Sequence, residues 1–257
     1  MTDKRGVPAV PERAGRSIGQ ITTGAKASVS PTATVPERPS AHTRLEALIS
    51  WCLGLEYMSL SKDGIQTGNH YQSVSLGEIT TSGFRSDRTT FLDRVNFDSK
   101  AVLDLGSNLG ELSRAARARG ASLVDGFEYD PFFVEVAQLL NAYNSMTRVS
   151  FFERDITLEE SYENRYDIVM AFAVWTYIAP VLGAIGRITD VLLVETHRLQ
   201  GNLERDYIGP LSGVFPSHAI LGESDWGKAQ DPSGRRSVLL FAKNDAALRQ
   251  ALQTSVA

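Results

Sequence analysis

Short apolar runs alternate with helical patterns from Lys100 onward, and this alternation most constrains the fold. The runs are AVLDLG, LVDGFE, VSFFERD, DIVMAF and VLLVET, and helical periodicity covers 109–119, 131–145 and 179–188. Such an alternation is typical of parallel strands that are joined by crossover helices. The sequence therefore predicts an α/β fold with a doubly wound, mostly parallel sheet.

Two further strands are expected near the end of the chain. A helix is predicted around Asn202 to Leu211, followed by the apolar segments HAILGES and SVLLFAK. The loop between these segments contains Gly and Pro, which favours a hairpin. Together with the five runs above, these segments would make seven strands.

The first hundred residues differ in composition from the rest. Residues 1–40 contain five of the ten prolines and no aromatic residue, which predicts a disordered tail. Residues 41–99 are interpreted as a helical or lid segment. It begins at Thr43 and Glu46, which have capping-box spacing, and includes a long polar stretch and a short helix in DRTTFLDRV. Residues 100–257 form the predicted main domain.

The net charge, the cysteine count and the length of the apolar runs indicate which kinds of partner and environment to expect. A formal net charge of -4 gives no broad cationic surface for a nucleic-acid backbone, so a small-molecule substrate is expected. Cys52 is the only cysteine, and the longest apolar run, 168–175, is too short to span a bilayer. A soluble, cytoplasmic protein is predicted, without membrane association. The sequence does not predict its oligomeric state.

The segment DLGSNLGE follows the first predicted strand of the sheet and begins a helix. Ligands bind at such strand ends in open parallel sheets, where helix N-termini offer N–H groups. Gly106 and Gly110 permit close approach of a ligand, although glycines that serve only a tight turn are an equal alternative. The spacing G-x-x-x-G puts Asn108 where a dinucleotide-binding loop has its middle glycine, which argues against NAD. The lysine of a P-loop is also missing.

An acidic residue follows at the expected distance for a nucleoside site. Glu128 ends the second run, about 20 residues after the glycine turn, where a carboxylate can accept hydrogen bonds from ribose hydroxyls. The alternative is a solvated acid at the end of a strand. The combination predicts a bound nucleoside.

Four segments in order, VLDLGSNLGELS, VDGFEYDP, VSFFERDIT and YDIVMAFAVWTYI, resemble the motifs of class I S-adenosylmethionine-dependent methyltransferases. The resemblance covers residues 100–243. It implies a Rossmann-like sheet of seven strands with a C-terminal antiparallel hairpin, and S-adenosylmethionine as cofactor. The cofactor residues that it implies are Asp104, Gly106, Asn108 and Gly110 at the amino-acid end, Glu128 at the ribose, and Tyr129, Asp155, Ile156 and Phe172 around adenine and towards the substrate.

Asp104 and Asp155 can also be interpreted from their places in the predicted strands and turns. Asp104 lies within a strand among leucines, where an unpaired carboxylate is costly to bury, so it is expected to bind backbone N–H groups or the cofactor ammonium. Asp155 could instead cap a helix or turn.

Candidate catalytic residues lie at the end of the fifth run, in VLLVETHRLQGN. Glu195 and His197 offer a carboxylate and an imidazole at the same sheet edge as the cofactor, and His197 is the preferred base if the acceptor is a hydroxyl. A histidine or acid with a purely structural role is the alternative. Predicted substrate-binding residues are His70, Tyr71, Arg85 and Tyr177, although Tyr177 could belong to the core. Arg85 and Arg88, both in GFRSDR, could pair with an anionic substrate group or with Asp87 and Asp93.

A looser similarity concerns HYQSVSLGEITTSGFRSDRTTFLD and VETHRLQGN. These segments resemble a subgroup with carboxymethyl-transferring tRNA wobble-uridine enzymes and small-molecule or sugar O-methyltransferases of bacterial pathways. The acidic chain favours O-methylation of a small metabolite or sugar, as in secondary metabolism. Carboxymethyl transfer to tRNA from a carboxylated cofactor is the alternative, and a nucleotide-dependent oxidoreductase or a non-catalytic cofactor-binding protein is the alternative of another class. No metal site is predicted.

Overall fold

A computed structural model describes residues 72–76, 79–81, 83, 85, 87–196, 202–225 and 235–253. All of them belong to one compact unit, Pro39–Ala257. The tail predicted over residues 1–40 and the helix expected from Thr43 lie outside these ranges. Within them, no helix is long and apolar enough to cross a membrane.

The stretch before the main sheet contains a small hairpin and a short helix. Strand β1 (Val74–Leu76) pairs antiparallel with β2 (Ile79–Thr81), and helix α1 covers Arg88–Phe91. A 3-10 turn, Leu92–Arg94, follows directly. The hairpin was not expected from sequence, because its strands are three residues long and show no clear alternation.

The main sheet has seven strands in the order β5-β4-β3-β6-β7-β9-β8. Strands β3 to β7 are parallel, whereas β9 pairs antiparallel with both β7 and β8. The strands are β3 (Ala101–Leu105), β4 (Leu123–Glu128), β5 (Val149–Glu153), β6 (Ile168–Phe172), β7 (Val191–Glu195), β8 (Ser217–Asp225) and β9 (Arg235–Ala242). This arrangement confirms the predicted fold class.

Helices lie in the predicted ranges 109–119, 131–145, 179–188 and around 202–211, whereas the helices at 175–178 and 245–251 were not predicted. They are α2 (Glu111–Ala118), α3 (Pro131–Tyr143), α4 (Trp175–Ile178), α5 (Leu182–Ile188), α6 (Gly209–Ser212), which continues a π-helical turn at Glu204–Ile208, and α7 (Asp245–Ala251). Asp130 caps α3 by accepting a hydrogen bond from the Phe132 N–H at 2.9 Å. Pro131 at the first position of α3 is suited to a helix start, because its missing N–H would have no partner there.

Two apolar cores lie against the main sheet. Side chains alternate along β3, so that Val102 joins one core whereas Leu103 and Leu105 join the other. A parallel strand that is buried on both faces explains the almost continuous apolar runs of the sequence. The order of the strands reverses between β3 and β6, and this switch point is where open α/β sheets form their ligand crevice.

Candidate cofactor and substrate site

A cavity of about 830 Å³ opens at the carboxyl ends of the parallel strands. Its size lies within the range of small-molecule sites. The strand ends of β3, β4 and β6 contribute Asp104, Glu128 and Phe172, and the turn after β5 contributes Asp155. The remaining wall is formed by Gln72, Arg88, Gly106, Ser107, Asn108, Leu112, Tyr129, Asp130, Phe132, Phe133, Ile156, Thr157, Ala173, Val174 and Tyr177.

The glycine turn between β3 and α2 needs left-handed backbone at three positions. Gly106 has φ of 71°, Asn108 of 51° and Gly110 of 81°. A Cβ on Gly110 would overlap the ring of Phe151, so this position needs glycine for two reasons. Asn is among the few other residues that tolerate this region. Asn108, which stands where a dinucleotide-binding loop has its middle glycine, therefore still adopts the left-handed backbone that the turn requires.

Glu128 ties the glycine turn to the end of β4. Its Oε2 accepts a hydrogen bond from the Asn108 N–H at 2.8 Å, and its Oε1 accepts from the N–H groups of Tyr129 and Asp130 at 2.9 and 3.1 Å. A carboxylate has about four acceptor positions, so the one that remains can face the cavity. Glu128 is thus held in place by backbone rather than simply solvated.

Asp104 is buried on the cavity wall with 2% of its surface exposed. Its Oδ2 accepts a hydrogen bond from Ser113 Oγ at 2.5 Å. Burial raises the pKa of the Asp104 carboxyl to about 7, and the negative charge of Glu128 acts in the same direction. The side chain therefore binds Ser113 on α2 through both the hydroxyl and the backbone N–H of that residue, and a cation in the cavity would stabilise its ionised form.

Part of the cavity wall is aromatic and apolar. Tyr129 is 72% exposed, whereas Ile156 and Phe172 are buried at the wall. Asp155 Oδ1 accepts hydrogen bonds from Thr157 N and Thr157 Oγ1 at 2.9 and 2.7 Å, and these bonds lower the pKa of its carboxyl. Asp155 thus caps a turn, which was the alternative to a cofactor role, and it also lies in the cavity wall.

The predicted substrate residues fall in different places. Tyr177 lies on the cavity wall and is 56% exposed, so it does not belong to the core. His70, Tyr71 and the predicted base His197 lie outside the described residues.

Glu195 and Arg85 lie elsewhere than expected, because neither is in the wall of the cavity. Both are completely buried, and Arg85 Nη2 donates to Glu195 Oε1. Arg88 Nη2 and Ser224 Oγ each donate to the same carboxylate at 2.6 Å, and Arg236 Nη1 lies 3.5 Å from it. We call these five residues the Glu195 cluster.

The Glu195 cluster does not suit a catalytic carboxylate. Burial by itself raises the pKa of the Glu195 carboxyl, but the charges of Arg88 and Arg85 lower it, and the net pKa is below its ordinary value. A carboxylate held in this way is a poor proton acceptor, and it has no contact with the cavity. Arg85 correspondingly serves Glu195, with Asp87 Oδ1 at 3.8 Å from its Nε, rather than a substrate.

Solved structures with the same architecture were found. WbdD in a complex with a kinase inhibitor has a TM-score of 0.58 and 15% identity, over 81% of this chain and 50% of that chain. The N-terminal domain of EvdMO1, in the presence of SAH and D-fucose, has a TM-score of 0.52 and 14% identity, over 79% of this chain and 99% of that domain. The chain has a Rossmann-like methyltransferase fold.

The chain spans about half the length of WbdD, which is a bifunctional kinase-methyltransferase. A putative S-adenosylmethionine-dependent methyltransferase from Streptococcus mutans has a TM-score of 0.50 and 14% identity, over 69% of this chain and 57% of that chain. No protein-family model and no curated protein sequence matches the chain.

Two wall residues of the cavity come from the stretch before the sheet, and Gln72 was not singled out from sequence. Gln72 and Arg88 both precede the sheet, in a stretch without clear periodicity. Gln72 Nε2 donates to the Ser107 carbonyl at 3.4 Å, and its Oε1 accepts from the Glu111 N–H at 3.3 Å. The arginines in GFRSDR were a signal of anion pairing, but nothing in the sequence separates Arg85 from Arg88.

Proposed function

We propose that the protein is an S-adenosylmethionine-dependent methyltransferase that O-methylates a small metabolite or sugar. One observation carries this proposal: Asp104, Glu128 and Phe172 at the ends of β3, β4 and β6 lie in the wall of one cavity together with Asp155 from the turn after β5. These are the positions that the resemblance assigns to the amino-acid end, the ribose and the adenine of the cofactor and to the segment between cofactor and substrate.

The wall of the cavity fits this cofactor chemically. Glu128 offers a carboxylate for ribose hydroxyls, and Ile156 and Phe172 offer apolar contact. The buried Ser107 Oγ makes no hydrogen bond among the described residues, so it is available to a polar ligand group. When bound, the cofactor supplies an electrophilic methyl group on a sulfonium sulfur.

The chain's own residues have to align the acceptor and keep out water. Transfer requires the acceptor atom at about 3 to 3.5 Å from the methyl carbon, in line with sulfur. Ala173, Val174 and Tyr177 form the wall directly after β6 and suit an acceptor. For a hydroxyl acceptor, His197 stays our proposed base, since it follows the end of β7 by two residues.

Two observations support a small acceptor. The net charge of the chain is -4, which does not favour a nucleic-acid substrate. The EvdMO1 domain was crystallised in the presence of a sugar, D-fucose, together with SAH. Carboxymethyl transfer to tRNA stays the alternative. Turnover with plain and with carboxylated cofactor, offered separately with each acceptor class, distinguishes the two reactions.

Calorimetric titration tests the cofactor assignment. We expect saturable binding of S-adenosylhomocysteine and none of NAD, and we expect Glu128→Ala to weaken the former at least about tenfold, because ribose hydrogen bonds are lost. Glu153→Ala is the matched control, since Glu153 pairs with Glu128 across the strands but does not line this cavity. Binding of NAD alone, or equal affinity in the Glu128→Ala variant and the wild type, would contradict the assignment.

A further inference from the structure

The stretch before the sheet is fixed on the glycine turn. Gln72 bridges the Ser107 carbonyl and the Glu111 N–H, and the Gly83 N–H donates to Ser73 Oγ at 3.0 Å. A Cβ on Gly83 would overlap the backbone of Gln72, so the chain packs tightly here. The wall at this end of the cavity therefore includes residues from outside the main sheet.

Arg88 is held in a defined orientation at this end of the cavity. Its Nε lies 3.2 Å from Glu195 Oε1 and its Nη2 lies 2.6 Å from Glu195 Oε2, which is a bidentate pair. Arg88 is 3% exposed, and Glu195 is completely buried. Such planar, two-point pairing fixes a guanidinium more firmly than a single ion pair does. Glu195 thereby determines where the charge of Arg88 lies.

Opposite charges meet in this part of the wall. Arg88 and Asp104 both line the cavity, and the positive charge of Arg88 opposes the effect of burial on the pKa of Asp104. Among the described wall residues, Arg88 is the only Arg, Lys or His. An α-amino acid carries an ammonium and a carboxylate on one carbon. A neighbouring carboxylate and guanidinium are complementary to it.

We infer that Arg88 binds the α-carboxylate of the cofactor beside Asp104, which faces the ammonium, and that Glu195 is a positioning residue for Arg88. This inference rests on the proposed function. It gives the Arg88–Glu195 pair a role in binding, although Glu195 itself touches neither cofactor nor substrate. It also makes the stretch before the sheet a part of the cofactor site.

Two ligands that differ only in the α-carboxylate test the inference. Calorimetric titration compares S-adenosylhomocysteine with its decarboxylated analogue on the wild-type protein. We expect the analogue to bind about 10- to 100-fold more weakly than S-adenosylhomocysteine, because it lacks the carboxylate that would accept charge-assisted hydrogen bonds. This comparison needs no variant, so it does not depend on the folding of one.

Variants then identify the residue that distinguishes the two ligands. Arg88→Met should bring the affinity ratio of the two ligands close to one, and Arg88→Lys should retain part of it. Glu195→Gln should reduce the ratio because Arg88 loses its anchor. Arg236→Met is the matched control: Arg236 belongs to the Glu195 cluster but does not line the cavity, so the ratio should stay at the wild-type value.

The outcomes separate this inference from the proposed function. Equal affinities of the wild type for both ligands, or an unchanged ratio in Arg88→Met, would overturn the assignment of Arg88. A ratio that falls as far in Arg236→Met as in Arg88→Met would also overturn it, because general disruption of the cluster would then explain the effect. Binding of neither ligand by the wild type would instead refute the proposed function.

Discussion

The substitution Asp104→Asn should stabilise the cofactor-free protein at neutral and higher pH. The native carboxyl retains its proton up to about pH 7, whereas a carboxyl in the unfolded chain loses it near 3.8. Between these values the native state binds more protons, so the free energy of unfolding falls as pH rises. At about 1.36 kcal/mol per pH unit, the ionised carboxylate costs the native state at most about 4 kcal/mol above pH 7.

Urea unfolding of both proteins, followed by tryptophan fluorescence, measures this cost. The amide of Asn has nearly the same shape, and its oxygen can still accept from Ser113 Oγ, so the hydrogen bond is retained. We expect the stability of Asp104→Asn relative to wild type to rise by about 3 kcal/mol between about pH 5 and about pH 8. Asp98→Asn, at an exposed carboxylate, controls for the loss of one negative charge. A stability difference between Asp104→Asn and wild type that does not change with pH would refute the reasoning.

Three further changes test the glycine turn and the adenine end of the cavity. Gly110→Ala should lower the free energy of unfolding by about 1 to 3 kcal/mol, because φ is positive and Phe151 blocks the Cβ. Gly183→Ala is the control and should not lower it, since a Cβ there meets nothing within 4 Å. Equal urea midpoints of the two variants would contradict this. Asn108→Val should lower the melting temperature more than Asn108→Gly, since a β-branched residue is strained at φ of 51°; the reverse order would exclude backbone strain as the cause. Tyr129→Ala should weaken binding of S-adenosylhomocysteine about tenfold in calorimetry with little change in stability, because Tyr129 is exposed and our proposal stacks its ring on the adenine. Unchanged affinity would remove Tyr129 from the adenine site.

The regular part of the fold could be predicted from the sequence because it depends on local patterns. Buried parallel strands such as β3 and β6 require continuous apolar runs, and the helices between them require a different period. The glycine turn and Glu128 were also visible, since they lie at fixed offsets from a strand end. The β1–β2 hairpin was not visible, because three-residue strands carry too few positions to show a period.

The environment of Glu195 could not be predicted, for a different physical reason. Its partners Arg85 and Arg88 lie 110 and 107 residues away along the chain, and Ser224 lies 29 residues away. A carboxylate at a strand end looks the same in sequence whether it faces a substrate or a buried cation. Only the packing of the preceding stretch against the end of β7 distinguishes the two cases.

The Glu195 cluster has a consequence for attempts to shorten the protein. A truncated form that begins at Lys100 would keep all seven strands of the sheet, but it would remove two of the three guanidinium groups that neutralise Glu195. An interior anion stripped of counter-charge costs several kcal/mol, a large fraction of the stability of an ordinary domain. We therefore expect the sheet alone to be much less stable than the longer chain, because the residues that precede it supply most of the positive charge around Glu195.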